Sequence, residues 1–186
     1  MKKGGGKQKG NAYERYISRI FDAWWEEEPH TFWRTTNSGA WGPWEVGDIS
    51  PRAKRDRFIW FPFVVECKFH RNIDVLELLE SSRKGRLLQK WWDQISEAQT
   101  EAVGYGRNPM ECLRLLVMKR NRSQDYVAYR PEELAHIATI TTGIIINVKD
   151  LHLQIVPYSD FVKTFSKKII CDTYKKGYKN ADSEDK

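Results

Sequence analysis

Residues 63–69 read FVVECKF, and the way this stretch is read decides the fold. Aromatic and β-branched residues crowd it, as they do in a strand. Successive side chains of a strand point to opposite faces, so Val64, Glu66 and Lys68 share one face and Val65, Cys67 and Phe69 the other. The second set is expected to pack a core. The first set brings a carboxylate and an ammonium side by side onto one surface. Taken alone, such a pair reads as an ion pair that keeps an edge strand soluble.

The residues before it change that reading. EVGDI (45–49) predicts a short strand ending at Asp48, SPRAKRDR a charged turn, and 58–69 one long strand. A hairpin then lays the two strands side by side and brings Asp48 and Glu66 to one end of the sheet. Neighbouring carboxylates repel unless a cation sits between them. Hard oxygen ligands suit Mg²⁺ or Mn²⁺. Further upstream, Tyr13, Ile17, Ile20, Phe21 and Trp24 form one apolar stripe of a helix that runs from Asn11 and is stopped by Pro29. Glu14 lies at the edge of that stripe and is a third carboxylate for the same place. Lys68 offsets part of the negative charge and is placed to hold an attacking water.

The rest of the chain supplies the layers. TFWRT (31–35) reads as a short strand and TNSGAWGPW (36–44) as a loop. A short helix is expected at 73–82, with Asn72 or Asp74 near its start, and a longer one from about Gly85 to Val103, stopped by Gly104 and Gly106. ECLRLLVMK (111–119) and DYVAYR (125–130) read as strands around RNRSQ. Pro131 opens a short helix, ATITTGIIINV and LHLQIVP are further strands, and Ser159 is expected to cap a last helix, DFVKTFSKKII. The order predicts an α/β (α+β) domain with a mixed central β-sheet flanked by helices. Residues 1–10 read as a flexible basic arm, 11–171 as a single domain and 172–186 as a polar, disordered tail.

Composition narrows the class. The chain has 186 residues with a formal charge of +6 and a pI near 9.2. A basic balance fits a polyanionic partner such as nucleic acid, or ordinary surface charge. Clustering in KKGGGKQK, RAKRDR, RKGR and KRNR, mostly in expected loops, favours the first. Cys67, Cys112 and Cys171 are widely spaced, which argues against a disulfide framework and a structural zinc site and fits a reducing cytoplasm. No apolar run is long enough for a membrane span, and no signal-peptide pattern is expected.

The motif GD-I … VVECK, preceded by a helix bearing Glu, resembles the PD-(D/E)xK nuclease superfamily. Gly47 stands where the family name has Pro, and this affects no ligand. The resemblance implies a restriction-endonuclease-like core. Asp48 and Glu66, with Glu14 and the backbone carbonyl of Cys67, would hold the divalent metal, and Lys68 would orient the attacking water. It further implies a phosphodiester cut that leaves a 5′-phosphate and a 3′-hydroxyl. KGNAYER (9–15), Arg34 and Ser38 before the metal Asp, RKGRLLQKWWDQ, PMECLRLLVMK and DYVAYR, in that order, are similar to archaeal and phage-type Holliday junction resolvases. The resemblance covers roughly residues 9–135.

From it follow the expectations of a crossover junction endonuclease. Its substrate would be four-way junctions or other branched DNA. It would work as a homodimer, cutting two strands symmetrically in a prokaryotic or phage-infected cytoplasm. A restriction- or repair-type endonuclease, and a non-catalytic DNA-binding protein on the same fold, are the alternatives. Ser38 is a candidate catalytic contact or a turn-forming serine. Lys7, Lys9, Arg15, Arg34, Arg52, Lys54, Arg55, Arg57, Lys84 and Arg86 are candidate DNA contacts, or solvated turns and faces. Trp41 and Trp44 either stack on exposed bases or pack their loop. Trp24, Trp91 and Trp92 are core or dimer-interface anchors.

Overall fold

The computed structural model describes residues 5–35, 45–52, 59–70, 85–148 and 150–184. The predicted helix at 73–82, Ser38, Trp41, Trp44, Lys54, Arg55, Arg57 and Lys84 lie outside these residues. For Lys7 and Arg86 only the backbone is described.

Helix α1 (Gly5–Trp24) is followed by strands β1 (Phe32–Arg34), β2 (Ile49–Pro51) and β3 (Phe63–His70). Helix α2 (Gly85–Gly104) leads into β4 (Leu113–Arg120) and β5 (Asp125–Tyr129). The short helix α3 (Pro131–Leu134), β6 (Ile144–Val148), β7 (Leu151–Pro157), α4 (Tyr158–Thr164) and α5 (Lys167–Glu184) complete the chain. The five-stranded sheet has the order β3-β4-β5-β7-β6. β3 and β4 run parallel, and the other pairs are antiparallel. A mixed central sheet flanked by helices is therefore what the chain builds.

Both faces of this sheet are covered. Tyr13, Ile17, Phe21 and Trp24 of α1 pack with Phe161, Phe165 and Ile170 against Phe63, Val65, Cys67, Leu113, Leu115 and Val117. Leu88, Trp91, Trp92 and Ile95 of α2 pack the opposite face against Val64, Leu116 and Met118. Val64 is fully buried, so the face carrying Glu66 and Lys68 is not simply a surface, as expected from alternation alone. A parallel pair between two helical layers is apolar on both sides, and only the C-terminal end of β3 opens outward. Trp24, Trp91 and Trp92 are core residues.

Several element boundaries differ from the sequence reading. β3 starts at Phe63, not 58, because Pro62 offers no N–H; the Pro62 carbonyl instead accepts the N–H of Leu113. The expected hairpin of 45–49 with 58–69 does not form. Gly47 makes a parallel bridge to Val65, and β2 pairs antiparallel with β1. The intervening segment is long enough to carry the chain back for a parallel approach. α1 begins at Gly5, within the segment read as an arm, and ends at Trp24, ahead of Pro29, where Glu26 adopts a left-handed φ of 52°. The last predicted helix is two helices broken at Phe165 and Ser166. Ser159 lies inside α4, and Ser166 Oγ accepts the N–H of Ile169 at the start of α5. α5 continues through residues read as a tail.

Candidate active site

β3 is an edge strand of the main sheet, and its outer edge faces the segment around Gly47 and Asp48. The N–H of Asp48 donates to the carbonyl of Val65 at 2.7 Å. The N–H of Cys67 donates to Asp48 Oδ2 at 2.8 Å. Val65 and Cys67 thus turn their peptide groups outward, and by strand geometry the Cys67 carbonyl faces the same free edge beside Asp48.

Gly47 makes this approach possible. Its φ is +80°, and a Cβ there would stand 2.5 Å from the Val65 carbonyl oxygen. Any side chain would push the Asp48 segment off the strand, so this glycine matters to the site although it holds no ligand.

Three more charged groups converge on Asp48. Glu66 is 9% exposed and ion-paired with Lys68. Glu14, from α1, is paired with Arg34 of β1. Burial, and next the negative charge of Glu66, push the Asp48 carboxyl up to about 7; the Cys67 N–H opposes this, Glu14 adds to it, and Lys68 opposes it. The Cys67 thiol points to the core and is pushed well up by burial and by Asp48.

The structure therefore brings together Glu14, Asp48, Glu66, Lys68 and the Cys67 backbone, which residues 14 to 68 of the sequence suggested. It adds that Arg34, read as a DNA contact, holds Glu14. Lys9, Arg15 and Arg52 are exposed along α1 and just after β2. Sequence reading passed over Arg19 and Trp33, which lie beside Arg34; the i, i+4 spacing of Arg15 and Arg19 on one helix was the available signal.

Among the described residues no group of three or more His, Cys, Asp or Glu side chains is gathered closely enough to hold a metal ion unaided. The donor set nevertheless suits a hard divalent cation. Burial first, and then the negative charge of Glu66, raise the Asp48 carboxyl to about 7, and a cation between the two carboxylates relieves their repulsion.

A mixed sheet between helical layers, with an Asp, a Glu and a Lys converging on the open edge of a parallel strand pair, has the layout of a restriction-endonuclease-like nuclease core. Residues 5–173 match the family described as "Phage putative PDDEXK endonuclease", and the chain belongs to that family of nucleases. Compared with curated proteins and with solved structures, the chain matches none at a significant level.

Proposed function

We propose that the chain is a divalent-metal-dependent endodeoxyribonuclease that cuts branched DNA, with four-way junctions as the substrate. The observation that carries the chemistry is the Asp48 carboxylate held on the Cys67 N–H beside the Glu66–Lys68 pair. Asp48, Glu66 and the Cys67 carbonyl would hold Mg²⁺ or Mn²⁺, with Glu14 joining once it leaves Arg34. A divalent metal, when bound, would supply Lewis-acid polarisation of the phosphate. Lys68 would orient the attacking water and offset the charge that develops on the phosphate. Asp48 must give up its proton for the site to fill. No side chain needs to form a covalent intermediate, and the products carry a 5′-phosphate and a 3′-hydroxyl.

The branched substrate rests on the resemblance of residues 9–135 to junction resolvases, and it entails a two-fold dimer that nicks two strands symmetrically. The test offers a labelled four-way junction and the matching linear duplex to the protein with Mg²⁺ or Mn²⁺, alongside light scattering under the same conditions. The reading predicts paired nicks near the branch point by a dimer. Cleavage of the linear duplex with no branch preference, or a monomer that cuts, contradicts the junction assignment.

A further inference from the structure

Beside the candidate active site, α1, β1 and the end of β2 enclose an open cleft of about 440 Å³. Arg15, Arg19, Arg34 and Arg52 line it together with Trp33 and His30. Such a volume lies in the range of a site for a small ligand or a nucleotide. Four guanidiniums around one cleft repel each other unless an anion enters it.

Among the described residues, little of that negative charge is supplied at the cleft. Glu14 pairs with Arg34. Burial pushes the Glu45 carboxyl up, and the charge of Arg52 offsets this only in part; the two form no ion pair. Asp22 is committed to the backbone N–H groups of His30 and Phe32, at 3.0 and 2.7 Å. Among the described residues Arg15, Arg19 and Arg52 make no ion pair with a carboxylate.

Three of the four guanidiniums are also held in place. Arg19 Nε donates to the Arg15 carbonyl at 3.2 Å, which leaves its terminal nitrogens for an incoming group. The Arg52 guanidinium lies 4.9 Å from the ring centroid of Trp33. Arg34 is fixed by Glu14 and so belongs to both the cleft and the candidate metal site. Fixing donors before binding lowers the entropy cost of holding a phosphate, and planar guanidiniums match its oxygens two at a time.

We propose that this cleft is a phosphodiester subsite that grips the DNA strand next to the scissile phosphate, with Arg34 as the link between grip and chemistry. The inference rests on the nuclease reading for its ligand, and adds Arg19, His30 and Trp33 to the substrate-binding surface. A base-neutral grip of this kind fixes the register of the strand without reading sequence.

The experiment measures binding of a fluorescent DNA duplex across a salt series with metal chelated, followed by cleavage with Mg²⁺ or Mn²⁺. It compares the wild type with Arg19→Ala, Arg52→Ala, the double variant and, as a control, Lys163→Ala at an exposed site on α4. Removal of each cleft arginine is expected to weaken binding roughly tenfold. It is also expected to flatten the log–log salt slope by about one for each phosphate no longer gripped. Lys163→Ala is expected to bind as the wild type does. Arg19→Gln and Arg52→Gln repeat the measurement with longer side chains if an alanine variant fails to fold. Wild-type affinity and slope in the cleft variants overturn the subsite while leaving a cleaving enzyme intact. Cleft-dependent binding with no cleavage by the wild type sustains the subsite and removes the nuclease reading. No DNA binding by the wild type removes the subsite.

Discussion

Asp48 grips Cys67 through its side chain, Oδ2 accepting the Cys67 N–H at 2.8 Å. Its own N–H meanwhile donates to the carbonyl two residues earlier on the same strand. A free strand edge is normally a liability. Here that edge orients an acidic side chain against a second carboxylate, and the placement sets how the site should respond to substitution and to pH.

Asp48→Asn keeps an oxygen that can accept from Cys67 but removes the charge. The fold is expected to survive, with circular dichroism like that of the wild type. Metal-dependent cleavage is expected to fall at least ~100-fold, in line with losses seen on perturbing metal-site residues. Titration calorimetry with Mn²⁺ checks the cause, because the lost activity should come with lost metal binding. Wild-type Mn²⁺ affinity in this variant would dissociate Asp48 from the metal.

The raised Asp48 pKa gives a pH signature. A carboxyl raised in the folded state binds its proton more tightly there than in the unfolded chain. Its contribution to metal-free stability is therefore present at low pH and is lost as pH rises from the ordinary carboxylate value of 3.8 towards about 7. A metal must displace the same proton. Mn²⁺ binding should strengthen with pH and level off above about 7, with proton uptake by the buffer visible at pH ~6 and absent at pH ~8 when buffers of different ionisation enthalpy are compared. In Glu66→Gln the repulsion is gone, so the Asp48 titration should move down.

Gly47→Ala places a methyl group against the Val65 carbonyl and forces a left-handed φ on a side-chain-bearing residue. The backbone cost alone is about 1–2 kcal/mol, and the clash adds to it or lifts Asp48 off the strand. Thermal denaturation should show a lower Tm, and cleavage should fall even though no candidate ligand is altered. A variant with wild-type Tm and wild-type activity contradicts the role given to this glycine.

Asp125 ties α1 to the sheet. It accepts from Tyr13 and Tyr16 hydroxyls, each at 3.0 Å, and lies 3.3 Å from Lys119 Nζ. Asp125→Ala leaves the buried Tyr13 hydroxyl unpaired, which costs about 1–3 kcal/mol. Because α1 carries Glu14, the loss of stability should be accompanied by weaker metal binding, measurable by the same calorimetric titration.

Much of this was legible in residues 63–69 and their neighbours. The alternation of FVVECKF marks the strand, and the charges at Glu66 and Lys68, with Asp48 upstream, point to the candidate site. What the pattern hid has physical causes. Glu66 and Lys68 imitate the polar face of a half-exposed strand, so the burial of Val64 under α2 was not visible. A two-residue period carries no strand direction, so the parallel bridge at Gly47 looked like one arm of a hairpin. Ser159 and Ser166 are equally good caps in sequence, and only the break at Phe165 separates them. The pairing of Glu14 with Arg34 joins residues twenty positions apart and has no local signature.

The central claim, that Asp48, Glu66 and Lys68 form a metal-dependent phosphodiesterase site, is tested most directly by single-turnover cleavage of a labelled four-way junction in Mg²⁺ or Mn²⁺. The wild type is compared with Glu66→Gln and Lys68→Ala. The account predicts metal-dependent nicking by the wild type and losses of at least ~100-fold in both variants, the scale of a missing charged or proton-handling group in catalysis. Equal cleavage by the wild type and the two folded variants would contradict it.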